Sequence, residues 1–186
     1  MEAQVNKLCD ENFFHDIARR FCHSYDGDGR GVSLDDQAGI PQHEAVITAL
    51  EMMLELLFPG YSGRHDFSRS SRFFSIGSLL DKLSCILLEQ IQRSCAFCCE
   101  TQACTGDCAI SCFQMAQNST HKLIDMLPEL REVLLLDVQA ALDGDPATSS
   151  PDEVIIAYPG FKAICIHRIA NVLYNEKIPL IPRIMS

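Results

Sequence analysis

Residues 136–186, LDVQAALDGDPATSSPDEVIIAYPGFKAICIHRIANVLYNEKIPLIPRIMS, decide the fold of this chain. The stretch opens inside an apolar stripe of Leu127, Leu130, Leu134, Val138 and Ala141, whose three- and four-residue spacing lies on one face of a helix. Gly144-Asp145-Pro146 ends that helix, since glycine supplies a C-terminal stop and proline cannot continue the hydrogen-bond ladder. Ser150-Pro151-Asp152-Glu153 begins another: a cap residue, a proline, and two acids at the positive end of the helix dipole. Tyr158-Pro159-Gly160 breaks it. The segment that follows carries Ala163, Ile166, Ala170 and Leu173 on one side and Phe161, Cys165, Ile169 and Val172 on another, which predicts a helix packed on several sides. The quoted stretch closes on Ile178-Pro179 and Ile181-Pro182.

Upstream the periodicity is also helical. Phe14, Ile17, Ala18 and Phe21 share a face, and the Gly- and Asp-rich run 26–39 reads as a loop. Pro41 suits the first turn of a helix with a buried stripe of Val46, Leu50, Met53 and Leu57, ended by Pro59-Gly60. A polar connection spans 61–72. The next helix is expected over about 76–93, with Leu80, Leu83, Leu87 and Ile91 on one side, then a cysteine-dense corner and a helix through about Met126. Pro128 predicts the start of a new one. No strand-like alternation persists, so the expected fold is all-α, an antiparallel helical bundle. Its organisation reads as a helical region 1–127 containing the cysteine-rich hairpin, followed by a helical segment 128–186.

Composition narrows the function. Of 186 residues, 47% are hydrophobic, enough for a sizeable core, and the formal net charge is −10. That charge disfavours nucleic acid and anionic membrane as partners, because phosphate binding needs clustered Lys and Arg. No apolar run reaches membrane-spanning length, and the first twenty residues lack a basic start followed by an apolar block, so a cytoplasmic location is expected. The ten cysteines therefore read as free thiols or a metal cluster rather than a disulfide framework.

Three constellations carry possible chemistry. Asp26-Gly27-Asp28-Gly29-Arg30-Gly31 opens like a calcium loop, but Arg30 stands where an oxygen ligand belongs and Gln37 where a bidentate Glu is required, which leaves an acidic turn. Cys95 and Cys98 have the two-residue gap of a thiolate pair, and a helical hairpin could bring them to Cys108 and Cys112; structural thiols are the plainer reading. The histidines, His15, His23, His43, His65, His121 and His167, sit in no catalytic motif, and the chain holds no glycine-rich phosphate loop. His167 and Arg168 are placed where they could approach the Asp143–Asp145 corner, with a helix-packing ion pair as the simpler role. No catalytic residue is assigned. Asp145 is the candidate binding residue: Pro146 restricts the backbone on both sides of the bond and gives the carboxylate a fixed direction, suited to an ammonium group or simply to a turn.

Asp137-Val138-Gln139-Ala140, Asp145-Pro146, Tyr158-Pro159-Gly160-Phe161, His167-Arg168-Ile169-Ala170 and Leu173-Tyr174, in that order and spacing, resemble the serine O-acetyltransferase family. The closing Ile178-Pro179-Leu180-Ile181-Pro182-Arg183-Ile184-Met185 is similar to the variant with an extended N-terminal region, and Leu57-Phe58-Pro59-Gly60-Tyr61 fits it more loosely. The resemblance implies a helical N-terminal domain followed by a left-handed β-helix of hexapeptide repeats. That second domain carries the His–Asp catalytic pair, the Arg for the substrate carboxylate, and the site for acetyl-CoA, a co-substrate; this chain is expected to end where the β-helix begins. The implied reaction moves acetyl from acetyl-CoA to L-serine, giving O-acetylserine for cysteine synthesis, and the fragment alone is expected to be inactive. Asp145, with Pro146 beside it, matches the aspartate that contacts the α-ammonium of L-serine and of the feedback inhibitor L-cysteine. No cofactor is expected in this chain, and the helical domain implies a homo-oligomer. The rival expectation is a helical interaction module, with or without a metal at the cysteines.

Overall fold

The computed structural model describes residues 11–25, 39–61, 67–101 and 108–186. It falls into two compact units, 1–38 and 39–186. The first contains one described helix, α1 (Glu11–Tyr25), on which Phe13, Phe14 and Phe21 are exposed. The six-residue motif at 26–31 lies outside the described residues.

The second unit contains α2 (His43–Leu57), α3 (Arg72–Thr101), α4 (Cys108–Gly144), α5 (Pro151–Ala157), α6 (Pro159–Asn175) and α7 (Ile181–Met185). Among the described residues there is no β-strand, so the expected all-α fold is the observed one. Helices α3 and α4 pack along each other as a long hairpin, α2 lies on α3, and α6 and α7 close the bundle. None of these helices is long and apolar enough to cross a membrane.

The core follows the periodic stripes. Met53, Leu57, Leu83, Leu87, Ile91, Leu123, Leu134, Ile169 and Leu173 are all buried in one continuous cluster. Burial of each such side chain contributes roughly 1.5–3 kcal/mol. Polar contacts fix the helix ends within it. The buried Gln90 side chain accepts the backbone N–H of Gln42, the residue before α2, at 2.7 Å. Arg131 Nε donates to the Leu57 carbonyl at 3.0 Å, putting a cation where the α2 dipole is negative. Pro59-Gly60 then turns the chain: Tyr61 N–H bonds the Phe58 carbonyl at 3.3 Å and Gly60 sits at φ 89°, the left-handed conformation that the third residue of a type II turn demands.

Helix α4 departs from expectation. The helices predicted to stop near Met126 and restart at Pro128 are one continuous helix with Pro128 inside it, and the 127/128 division falls within this helix and within the second unit. Leu123, Leu127 and Leu134 are buried on both sides of the proline, so core packing carries the helix across a residue that cannot donate its backbone bond. Pro128 itself is exposed. Pro128→Ala should therefore restore the missing bond to the Ile124 carbonyl and raise unfolding stability by about 2 kcal/mol, measured by urea titration, after part of the gain is offset in the unfolded chain.

Helix α3 also runs further than predicted, through the first part of the cysteine tract to Thr101. Helix α7 was not expected at all. It forms after a tight reversal in which Lys177 (φ 64°) ends α6 with its N–H on the Tyr174 carbonyl at 3.0 Å, while Ile178 N–H reaches the Leu173 carbonyl at 3.0 Å. This pair of bonds is a Schellman motif with lysine in the place usually taken by glycine. Ile178, Ile181, Pro182 and Met185 then turn inward and are buried.

Candidate functional site

The corner between α4 and α5 is closed by a set of backbone and side-chain hydrogen bonds centred on Asp145. Its helix stop differs from the one expected: Gly144 is the last residue of α4 and is not left-handed, and Asp145-Pro146 makes the turn. Asp145 N–H still bonds back to the Ala141 carbonyl at 3.1 Å, and its own carbonyl accepts Thr148 N–H at 3.0 Å, closing a β-turn with Pro146 at its second position. Within that turn Asp145 Oδ1 accepts the Ala147 N–H at 2.9 Å. This is the Asx arrangement that an aspartate before proline favours.

The other carboxylate oxygen looks across to the next corner. Tyr158 Oη donates to Asp145 Oδ2 at 2.6 Å, and the hydroxyls of Thr148 and Tyr158 are hydrogen-bonded to each other. Because the Tyr158 proton is committed to Asp145, Thr148 is the donor in that second contact. Tyr158 is held from behind by the backbone: its N–H caps α5 on the Val154 carbonyl, and Pro159 begins α6 immediately after it. Ser150 caps α5 by accepting Glu153 N–H at 3.2 Å, as the sequence led one to expect, and the Glu153 side chain accepts Ser149 N–H at 2.9 Å, a bond the sequence reading did not include.

These bonds set the electrostatics. The Tyr158 hydroxyl, and after it the Ala147 N–H, hold the Asp145 carboxyl below the usual carboxylate range, and the Tyr158 phenol is raised by the same bond. Glu153 is lowered chiefly by the backbone N–H of Ser149. A carboxyl depressed in the folded state stabilises the fold above its unfolded value, and that contribution is lost as pH falls through the folded value. Asp145 is thus ionised at neutral pH and half-buried; Tyr158, Ala147 N–H and, more weakly, the Thr148 hydroxyl act on its carboxylate, which has about four lone-pair sites and so keeps room for a further partner.

The other sequence candidates separate from this corner. Arg168 forms a two-pronged pair with Asp137, Nε to Oδ2 at 2.8 Å and Nη2 to Oδ1 at 2.9 Å, tying α6 to α4. It is the helix-packing ion pair, directed at Asp137 rather than at the turn, while Asp143 accepts Gln139 Nε2 at 2.7 Å. His167 is exposed. An open groove of about 550 Å³ lies between the ends of α2, α5 and α6; Phe58, Tyr61, Tyr158 and Lys162 line it, and Asp145 does not.

In the cysteine tract, α3 remains helical, so the four-residue spacing governs which thiols face α4. Cys99 is disulfide-bonded, which corrects the expectation of free thiols at that position, and its Sγ lies 3.4 Å from the free thiol of Cys112. Cys95 is buried, and its thiol is pushed up to about 11 by burial first and then by neighbouring Cys112 and Cys98. Cys165, in the α6 core, is likewise pushed up to about 11, mainly by burial. Among the described residues no group of three His, Cys, Asp or Glu side chains is arranged to hold a metal; the Cys108 side chain lies outside them.

Comparison with known proteins identifies the scaffold. No protein-family model matches the chain. Over 147 residues it is 35% identical to a plasmid-borne serine acetyltransferase of Synechococcus elongatus, which covers 79% of this chain and 46% of that protein. Its fold is that of the native serine acetyltransferase 1 of Entamoeba histolytica, with a TM-score of 0.56 at 22% identity, over 94% of this chain and 57% of that one. Isoform 3 from the same organism, solved in complex with cysteine, gives 0.57 at 22% identity, over 95% of this chain and 55% of that one. The chain thus spans about half the length of the relatives it matches.

Proposed function

We propose, from its kinship with the serine acetyltransferases, that this chain is the N-terminal helical portion of a serine O-acetyltransferase. The reaction is transfer of acetyl from acetyl-CoA to the hydroxyl of L-serine. The observation that carries this reading is the likeness over 147 residues to the cyanobacterial serine acetyltransferase. The chemistry needs a base near the serine hydroxyl, donors for the oxyanion, and a rigidly held amino acid. The base and oxyanion donors belong to the hexapeptide-repeat domain that the family resemblance implies. This chain contributes to the third requirement through Asp145, whose carboxylate grips the α-ammonium of serine.

A crystal structure of a related enzyme holds cysteine, which carries the same ammonium and carboxylate as serine. Cysteine is therefore the proposed feedback inhibitor here, competing for the grip of Asp145. Self-association through the helical unit is part of the same reading and is supported by the exposed apolar side chains Leu136, Ile164 and Tyr174 on α4 and α6. The location proposed is the cytoplasm.

The test is direct. This chain alone and the chain extended by the coding sequence after Ser186 are assayed for serine-dependent release of thiol from acetyl-CoA. The extended protein turns over and the 186-residue chain does not. Turnover by the chain alone, or an extension without hexapeptide repeats, would set this proposal aside in favour of a helical interaction module.

A further inference from the structure

We infer that Tyr158 is a positioning residue for the amino-acid substrate: through its hydroxyl, backed by Thr148, it fixes the orientation of the Asp145 carboxylate that receives the ammonium group. The inference rests on the reading of Asp145 proposed above and adds a residue that lies thirteen positions further along the chain and on the other side of α5.

The argument is geometric. Pro146 restrains the backbone of Asp145 but leaves its side-chain torsions free. The Ala147 N–H holds Oδ1 at 2.9 Å, and a single bond still allows the carboxylate plane to rotate about it. The bond from Tyr158 to Oδ2 at 2.6 Å supplies the second anchor, and two anchors on different oxygens fix the plane. Tyr158 can serve because its own position is set from both sides: its backbone closes α5 and opens α6, and Phe161, three residues on, is buried edge-to-face against Phe58 with ring centres 5.4 Å apart. The Thr148 hydroxyl holds the phenol oxygen from within the Asp145 turn. The two corners of the fold, whose prolines Pro146 and Pro159 stand thirteen residues apart, are tied into one unit by three side chains. Glu153 is the other titratable group that faces this corner; its carboxylate is bound to Ser149 and does not replace Tyr158.

The test uses Tyr158→Phe, Asp145→Asn and the double variant in the complete enzyme, with serine KM, kcat and the cysteine inhibition constant as readouts. Tyr158→Phe raises serine KM and the cysteine constant together by about 3- to 10-fold, keeps kcat within about twofold, and has no further effect once position 145 is Asn. Carboxyl-carbon NMR of this chain shows the Asp145 titration midpoint moving up in Tyr158→Phe, a change that loosened packing elsewhere would not produce. Thr148→Val, which removes a hydroxyl that bonds Tyr158 and acts on the Asp145 carboxylate while it keeps the Tyr158 ring, moves the same constants in the same direction by a smaller factor, and it carries the test if Phe at 158 prevents folding. Wild-type constants in Tyr158→Phe beside a weakened Asp145→Asn overturn the inference and leave the reading of Asp145 standing. An Asp145→Asn enzyme that binds serine and cysteine normally overturns both.

Discussion

In the complete enzyme, Asp145→Asn raises the serine KM by about 10- to 100-fold and weakens cysteine inhibition by a similar factor. The magnitude is that of one hydrogen-bonded charge pair, about 1.5–3 kcal/mol, at 1.4 kcal/mol per factor of ten. Asparagine keeps the size of the side chain and one carbonyl oxygen, so the turn closed by Ala147 N–H can persist. What it loses is the charge and one acceptor, and its amide N–H group must then face either the Tyr158 hydroxyl or the incoming ammonium. The ammonium takes no part in bond making, so the lost interaction is equally present in the ground state and the transition state; KM changes and kcat holds. The two constants move together because serine and cysteine share that group. Asp143→Asn is the control: its carboxylate bonds Gln139 on its own helix and stands outside the corner network, so both constants stay at wild-type values. Steady-state kinetics of the two variants decide the matter, and unchanged constants in Asp145→Asn would remove Asp145 from the site.

The features legible in the sequence were those that local rules determine. The stripes of α2, α4 and α6 were readable because their three- and four-residue spacing is itself the core: Val46, Leu50, Met53 and Leu57 are all buried, as are Phe161, Cys165, Ile169 and Val172. The α5 start was readable because the Ser150 cap and the Pro-Asp-Glu first turn are local chemistry. Pro128 misled because the packing of Leu123, Leu127 and Leu134 against neighbouring elements outweighs one missing backbone bond, and no local rule contains that comparison. The cysteine corner was less legible: α3 stays helical to Thr101, past the expected end near Arg93, and spacing alone does not show that Cys99 is disulfide-bonded. Asp145 was legible as a candidate carboxylate from its place before Pro146, which restrains the backbone and not the side chain. Its partner Tyr158 was present in the sequence as a helix breaker, and only the folded geometry of two corners shows that the same residue points its hydroxyl at the carboxylate.

The segment after α6 carries the other large effect: Ile181→Ala destabilises the second unit by about 2–4 kcal/mol, the range for removing a buried aliphatic side chain where the surroundings cannot fully collapse. Ile181 is 1% exposed, on a helix of only five residues that packs against α2, α3 and α6 at once. So short a helix has no stability of its own, and its side chains stay in the core only because the chain is forced back onto the bundle. The force is local and visible. Leu180 sits at φ 56°, with Ile181 N–H turned onto the Pro179 carbonyl, and the hydroxyl of Ser94 on α3 donates to the same carbonyl. A leucine in that conformation costs on the order of 1–3 kcal/mol, a cost that the burial of Ile178, Ile181 and Met185 offsets. Truncating Ile181 removes part of that compensation and leaves the strained turn in place, so the loss falls toward the upper part of the range and lowers Tm by roughly 5–12 °C. Phe73→Ala is the matched control, since Phe73 is 83% exposed on α3 and its removal changes stability by less than about 0.5 kcal/mol. Calorimetry of both variants measures the difference. Equal midpoints would mean that the closing segment lies on the bundle without holding it together.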